Sequence, residues 1–346
     1  MCEMESINLS AEIHLQGNLS VTANDDNFLS ILYIKALIMV GIVLQPVFIF
    51  IGVVGNLINI VVFLKMRLVD SITLCFFFLS CSDLLSLLFL FALRFTTDFM
   101  PEDVRMDGLT IAYVIVFYYL MLYDVSQMLT SYIALQKCCC VALPFTFKST
   151  FTRLRSSLVA ACVAVSAIVM YLPIFTAQGI QVISDNATTR LTLWTTSSRS
   201  DVILAINFWG LLLPSVCQIL VVASLIILAS SLRSSSHFHK SISQKGDDKV
   251  APERRATKGG KETQAVYVTS FVALIYVLCN TPRLMISYAS LIEPEFNLFQ
   301  LYTEIYIALN IFRNTIEAIN TSLNIFVFLK FNRKYRRTFF VLSWCL

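Results

Sequence analysis

Five charged side chains stand inside stretches that are otherwise apolar: Asp83, Asp124, Arg283, Arg313 and Glu317. A charge in such a run is costly to bury and is kept where it pairs, binds or relays. Arg313 and Glu317 are four residues apart, so they share a helical face and can pair with each other. Arg283 directly follows Pro282, and its planar fork suits a carboxylate, a sulfate or an amidated peptide end. Asp124 and Gln127 lie three apart on one helical face. Arg283, Arg313, Glu317, Asp124 and Gln127 are therefore the candidate ligand-binding set. The competing reading of the same residues is an internal ion-pair network that holds helices together.

Catalysis has less to build on. The acids inside apolar runs, Asp83, Asp124 and Glu317, form no paired-carboxylate motif. The chain has three histidines, of which His237 and His239 sit in a polar, basic stretch, so neither a metal centre nor an enzyme is expected. Among the ten cysteines, Cys138, Cys139 and Cys140 are consecutive, which suits neither disulfide nor zinc geometry. Cys75, Cys81, Cys162, Cys217 and Cys279 lie in apolar runs, as small buried hydrophobes do.

The elements that must carry these residues are long. Of 346 residues, 57% are hydrophobic and 14% charged, far fewer charges than soluble domains hold. Apolar runs cover 36–64, 71–93, 109–136, 156–184, 202–232, 263–282 (continuing to about 289) and 305–329. Each is long enough to cross a bilayer, and each must be helical because lipid offers no partner to free backbone groups. The expected architecture is an all-α membrane protein, a seven-transmembrane helix bundle over 36–330. An N-terminal tail covers 1–35, a flexible basic linker about 231–261, and a cytoplasmic segment 331–346.

Charge sets the orientation. With the N-terminus outside, 19 of the 26 Lys and Arg fall on the inner side and 5 on the outer, a strong positive-inside bias. The sequons at Asn8, Asn18 and Asn186 then all lie outside, as candidate glycosylation sites. After the seventh run, basic residues alternate with Phe331, Tyr335, Phe339 and Phe340, the pattern of a short amphipathic eighth helix on the inner leaflet. Cys345 beyond it is a candidate for lipidation. The partners expected from these features are membrane lipids rather than nucleic acid, and the location is the plasma membrane.

Several motifs in order resemble one family. Gly55-Asn56 resembles the first-helix Gly-Asn of rhodopsin-like G-protein-coupled receptors. Leu79-Ser-Cys-Ser-Asp83-Leu-Leu resembles their second-helix aspartate motif, and Asn320-Thr-Ser-Leu-Asn324-Ile-Phe-Val-Phe328 their seventh-helix Asn-x-x-x-Asn-Pro-x-x-Tyr. Pro144, Pro214 and Pro282 match prolines of the second inner loop and of helices five and six. The resemblance covers about 36–343. It implies an extracellular ligand, small molecule or peptide, and a heterotrimeric G protein inside. It also implies no cofactor beyond a sodium ion at Asp83, Ser126, Asn320 and Asn324, an oxygen set that suits a hard cation.

The resemblance further implies a switch at the inner end of helix three, where Gln136-Lys137-Cys138 stands in place of Asp-Arg-Tyr. Lys137 is then expected to bridge to Glu262, with Asn280, Pro282 and Phe328 completing the coupling set. Asn280 replaces the family's tryptophan, Phe328 its tyrosine and Ile325 its proline, and Ala112 stands where an outer disulfide cysteine would be. Two branches look similar: molluscan chemosensory-type receptors and, more distantly, invertebrate FMRFamide-type neuropeptide receptors. A transporter or channel is the alternative from another class, but seven spans without inverted repeats do not divide into two halves.

Overall fold

A computed structural model describes residues 25–68, 70–98, 108–143, 147, 149–185, 188–243, 252–296 and 300–343. Apolar runs bounded by polar residues become long helices: α1 Asp25–Lys65, α2 Ser71–Asp98, α3 Gly108–Ala142, α4 Arg153–Ala177, α5 Arg199–Ser243, α6 Pro252–Ile292 and α7 Thr303–Phe331, followed by the short α8 Arg333–Ser343. Among the described residues, α1 to α6 each contain a stretch long and apolar enough to cross a membrane. This is an α-helical, membrane-embedded protein. α7, at 29 residues, is longer than α2 or α4, but Arg313, Glu317 and four asparagines dilute its hydropathy.

The helices surround α3, which packs on α2, α4, α5 and α6, while α7 lies between α1 and α6. The outside of the bundle is greasy: Phe50, Leu172, Leu204 and Ile219 are each more than half exposed. A water-soluble fold would rarely show so large an apolar surface, whereas a bilayer is its natural solvent.

Small residues bring α1 against α7. A Cβ on Gly52 would lie 2.4 Å from Ser322 Oγ and 2.5 Å from Leu87 Cδ1, and one on Gly41 would lie 2.0 Å from Ile311 Cγ2. That proximity lets Ser322 Oγ donate to the Phe48 carbonyl (2.7 Å) and Asn56 Nδ2 to that of Thr321 (3.1 Å). Close backbones and interhelical hydrogen bonds are how helices cohere where no hydrophobic effect separates them from lipid.

At the end of the bundle bearing α8, Phe63, Phe76, Phe328 and Tyr335 close an aromatic cluster. Phe328 meets Phe76 edge-on at 4.8 Å and Phe63 at 5.3 Å. Tyr335 is fully buried and donates to Asn59 Oδ1 at 2.6 Å, fixing α8 to α1. Burial pushes the Tyr335 phenol above its ordinary pKa, so it stays a donor. The four basic residues Arg333, Lys334, Arg336 and Arg337 remain exposed, as do Phe340 and Val341.

Four boundaries differ from the sequence expectation. α4 ends at Ala177, not near 184, because 178–185 forms strand β1 (Gln178–Asp185), paired antiparallel with β2 (Thr188–Thr195) in the register Gln178↔Thr195 to Asp185↔Thr188. Ile180 and Val182 stand on either side of polar Gln181, a period of two that suits a strand. α1 begins at Asp25, inside the expected tail. Helical backbone also occupies 231–243 and 252–261, where a linker was expected, since helix formation does not stop where apolarity does. Gln178 pins the hairpin: its Nε2 donates to the Tyr113 carbonyl (2.9 Å) and its Oε1 accepts from Arg199 Nε (2.9 Å). Tyr113 adjoins Ala112, so a hydrogen-bonded clasp ties the hairpin to α3 beside a position that carries no cysteine. None of the eight described cysteines is in a disulfide.

Candidate functional site

The polar interior is built on α3. Residues 119, 123, 126/127 and 130/131 recur at helical spacing, and Tyr119, Tyr123, Asp124, Ser126, Gln127, Thr130 and Ser131 are all buried. Facing helices supply the partners, in two clusters.

The first cluster gathers at Asp83 of α2, which is fully buried. Ser126 Oγ on α3 donates to Asp83 Oδ1, and Asn324 Nδ2 on α7 donates to Oδ2 at 2.9 Å. One carboxylate thus joins three helices. Asn320 is half-buried and is not among the groups bonded to Asp83. As a cation site, the cluster offers one carboxylate and one hydroxyl oxygen, the hard donor type such an ion takes, with both carboxylate oxygens already accepting hydrogen bonds. No group of three or more His, Cys, Asp or Glu that could hold a metal occurs among the described residues.

The second cluster spans α3, α4, α5, α6 and α7. Arg283 Nη2 donates to Asp124 Oδ1 at 2.8 Å, with both side chains almost wholly buried. Tyr171 of α4 donates to the other oxygen, Oδ2, at 2.8 Å. The Arg283 guanidinium lies over the Tyr123 ring, 5.4 Å from its centroid. Tyr123 stacks on Tyr119 at 6.0 Å, and the Tyr119 hydroxyl donates to Glu317 Oε2. Arg313 Nε lies 3.6 Å from Glu317 Oε1, and its guanidinium also bonds the neighbouring Asn314. A side branch runs through amides: Gln127 Nε2 donates to Asn280 Oδ1 (2.7 Å), Asn280 Nδ2 to Gln218 Oε1 (3.1 Å), and Gln218 Nε2 to the Val277 carbonyl (3.1 Å). Two arginines and two acids make the cluster electrically neutral.

All five residues of the expected ligand set therefore belong to one buried network. Its geometry is that of ion pairs within the bundle: Arg283 with Asp124, Arg313 with Glu317. Tyr119, Tyr123, Tyr171 and Gln218 join it without having been singled out from sequence. Tyr119 and Tyr123, four apart on α3, carried a weak signal, whereas Tyr171 lies in an apolar run that gave none. A cavity of about 300 Å³, lined by Met170, Pro173, Val202 and Ile206, opens between α4 and α5 outside this network.

Of the expected switch residues, Asn280 is the amide hub described above and Phe328 the centre of the aromatic cluster. Pro282 sits inside an unbroken α6. Gln136, not Lys137, turns inward and bonds Ser156 Oγ at 2.9 Å. Lys137 is half-buried, and the side chain of its expected partner Glu262 lies outside the described residues, as do Asn8, Asn18, Asn186, Pro144 and Cys345. The chain matches no protein-family model, and no curated protein matches it.

Proposed function

We propose that this chain is a rhodopsin-like, seven-transmembrane receptor that binds an extracellular ligand and signals to a heterotrimeric G protein at the plasma membrane, as a chemosensory-type receptor. The observation that carries the reading is Asp83. A carboxylate at mid-depth, held by a serine of α3 and an asparagine of α7, is a device that a helix bundle does not need for packing alone. It sits where three helices meet, so a change in any one of them is felt by the others.

On this reading α7 is the seventh span. Its polar side faces the bundle through Thr315, Glu317, Thr321 and Ser322, while Ile305, Ile307 and Phe326 face outward. The positive-inside bias supports an orientation with the N-terminus and the hairpin outside, and α8 inside with its exposed basic residues against anionic headgroups. The ligand enters from the hairpin end and acts on the Arg283–Asp124 cluster. Pro282, which leaves the carbonyl of Leu278 without its backbone donor, lets the far end of α6 swing. A sodium ion held by Asp83, Ser126 and Asn324, with Asn320 drawn in, would favour the resting arrangement. Asn8, Asn18 and Asn186 carry glycans, and Cys345 a lipid, on the same topology.

The test is a ligand screen on cells expressing the full chain, read by second messenger and by nucleotide exchange on purified G proteins. Ligand-dependent exchange supports the reading, with an agonist affinity that sodium lowers in the parent but not in Asp83→Asn. Solute flux without exchange on any G-protein class overturns it.

A further inference from the structure

The Arg283–Asp124 cluster leaves particular atoms unused, and these are what identify a ligand. Arg283 is 3% exposed; its Nη2 bonds Asp124, while its Nη1 is buried with no partner. The Tyr123 hydroxyl, beneath that guanidinium and beside the Gln127 amide, makes no hydrogen bond of normal geometry. Two acceptors are also unmet: Gln127 Oε1, and Glu317 Oε1, whose nearest cation, Arg313 Nε, is at 3.6 Å. Leaving such a group buried is costly if nothing comes to it. Unmet donors and acceptors gathered in one buried cluster call for a further molecule, water or ion to complete them.

Charge selects among the candidates. Asp124 and Glu317 balance Arg283 and Arg313, so the cluster is neutral before any ligand arrives. A lone anion or a lone cation would leave one uncompensated charge in a dry interior, which burial disfavours. We infer that this site takes a small zwitterion of the free amino acid class, its carboxylate on Arg283 Nη1 and the Tyr123 hydroxyl, its ammonium on Glu317 Oε1 and Gln127 Oε1. Both halves find partners and the total charge stays zero, with no need to break the Arg283–Asp124 bond. The inference rests on the reading of this cluster as the ligand site and gives it a ligand class.

The experiment uses the full chain, purified in detergent, with thermal melting followed by a thiol-reactive dye that reports buried cysteines as they are exposed. Glycine, L-alanine and 4-aminobutyrate are compared with acetate and methylammonium at equal concentration. The expected result is that at least one zwitterion raises the melting temperature by several degrees while neither half-molecule does. Tyr123→Phe, which keeps the ring under Arg283, should weaken the effective zwitterion by tenfold or more, the value of one hydrogen bond to a charged group. Equal stabilisation by acetate alone overturns the inference in favour of an anion site. No response to any zwitterion overturns it in favour of internal water. Both comparisons are made on the parent chain, so they hold even if the variant does not fold. A zwitterion that binds without nucleotide exchange sinks the receptor reading and leaves the site. Exchange driven by some other ligand, with no zwitterion binding, does the reverse.

Discussion

Replacing Asp124 by Asn tests the central ion pair, and the structure gives both a size and an asymmetry. Asp124 is fully buried and accepts from Arg283 Nη2 and Tyr171 Oη, each at 2.8 Å. Asparagine keeps the volume and one acceptor oxygen but leaves the Arg283 guanidinium without a counter-ion. Breaking a buried pair from one side costs about 3–5 kcal/mol, because a charge remains that nothing compensates. The reverse change, Arg283→Met, leaves a carboxylate, and a carboxylate can escape by taking up a proton, whereas a guanidinium cannot lose one. Arg283→Met should therefore cost less than Asp124→Asn. The double variant removes both charges and should recover most of the loss, so the two effects are strongly non-additive. The same dye-based melt measures all four proteins. Additive losses, or a milder effect for Asp124→Asn than for Arg283→Met, would show that the pair does not hold α3 to α6 as described.

Other substitutions probe other parts of the bundle. Gly52→Ala places a methyl group within 2.5 Å of Ser322 Oγ and Leu87 Cδ1, and should lower stability by about 1–3 kcal/mol, whereas Gly179→Ala meets nothing within 4 Å and should be close to neutral in the same melt. Asn280→Leu strands Gln127 Nε2 and Gln218 Oε1 together, so it should destabilise by about 1–3 kcal/mol for each group that finds no water. Tyr335→Phe keeps the aromatic cluster but removes the 2.6 Å bond to Asn59, and should cost about 1 kcal/mol while exposing α8 to faster proteolysis.

The bundle was legible in the sequence to the extent that lipid dictates it. A span needs about 20 apolar residues and satisfied backbone groups, and both requirements write themselves into runs that can be counted. Where lipid stops dictating, the reading failed. Ile180, Val182, Leu191 and Leu193 are apolar enough to pass for a helix end, and only their alternation marks the hairpin that they form. The polar helical extensions of α5 and α6 carry no apolarity signal, so they passed for a linker.

The site divides along a similar line. Arg313 and Glu317 are four apart on one helix, and geometry within a helix is fixed by sequence alone. Asp124 and Arg283 are 159 residues apart, and their meeting depends on how far each helix is rotated about its axis, which no single-helix pattern specifies. Tyrosines are the residues that such reading misses most readily, because each presents an apolar ring to the pattern and hides a polar tip. Tyr171, Tyr119 and Tyr123 are all of this kind, and they do most to decide the cluster's character. Tyr171 and Tyr119 spend their hydroxyls on Asp124 and Glu317, which leaves Tyr123, Tyr276 and Arg283 Nη1 among the donors still open. The charges that stand out in the sequence are thus largely matched with one another, and the capacity to take a further molecule rests on neutral tips beside them.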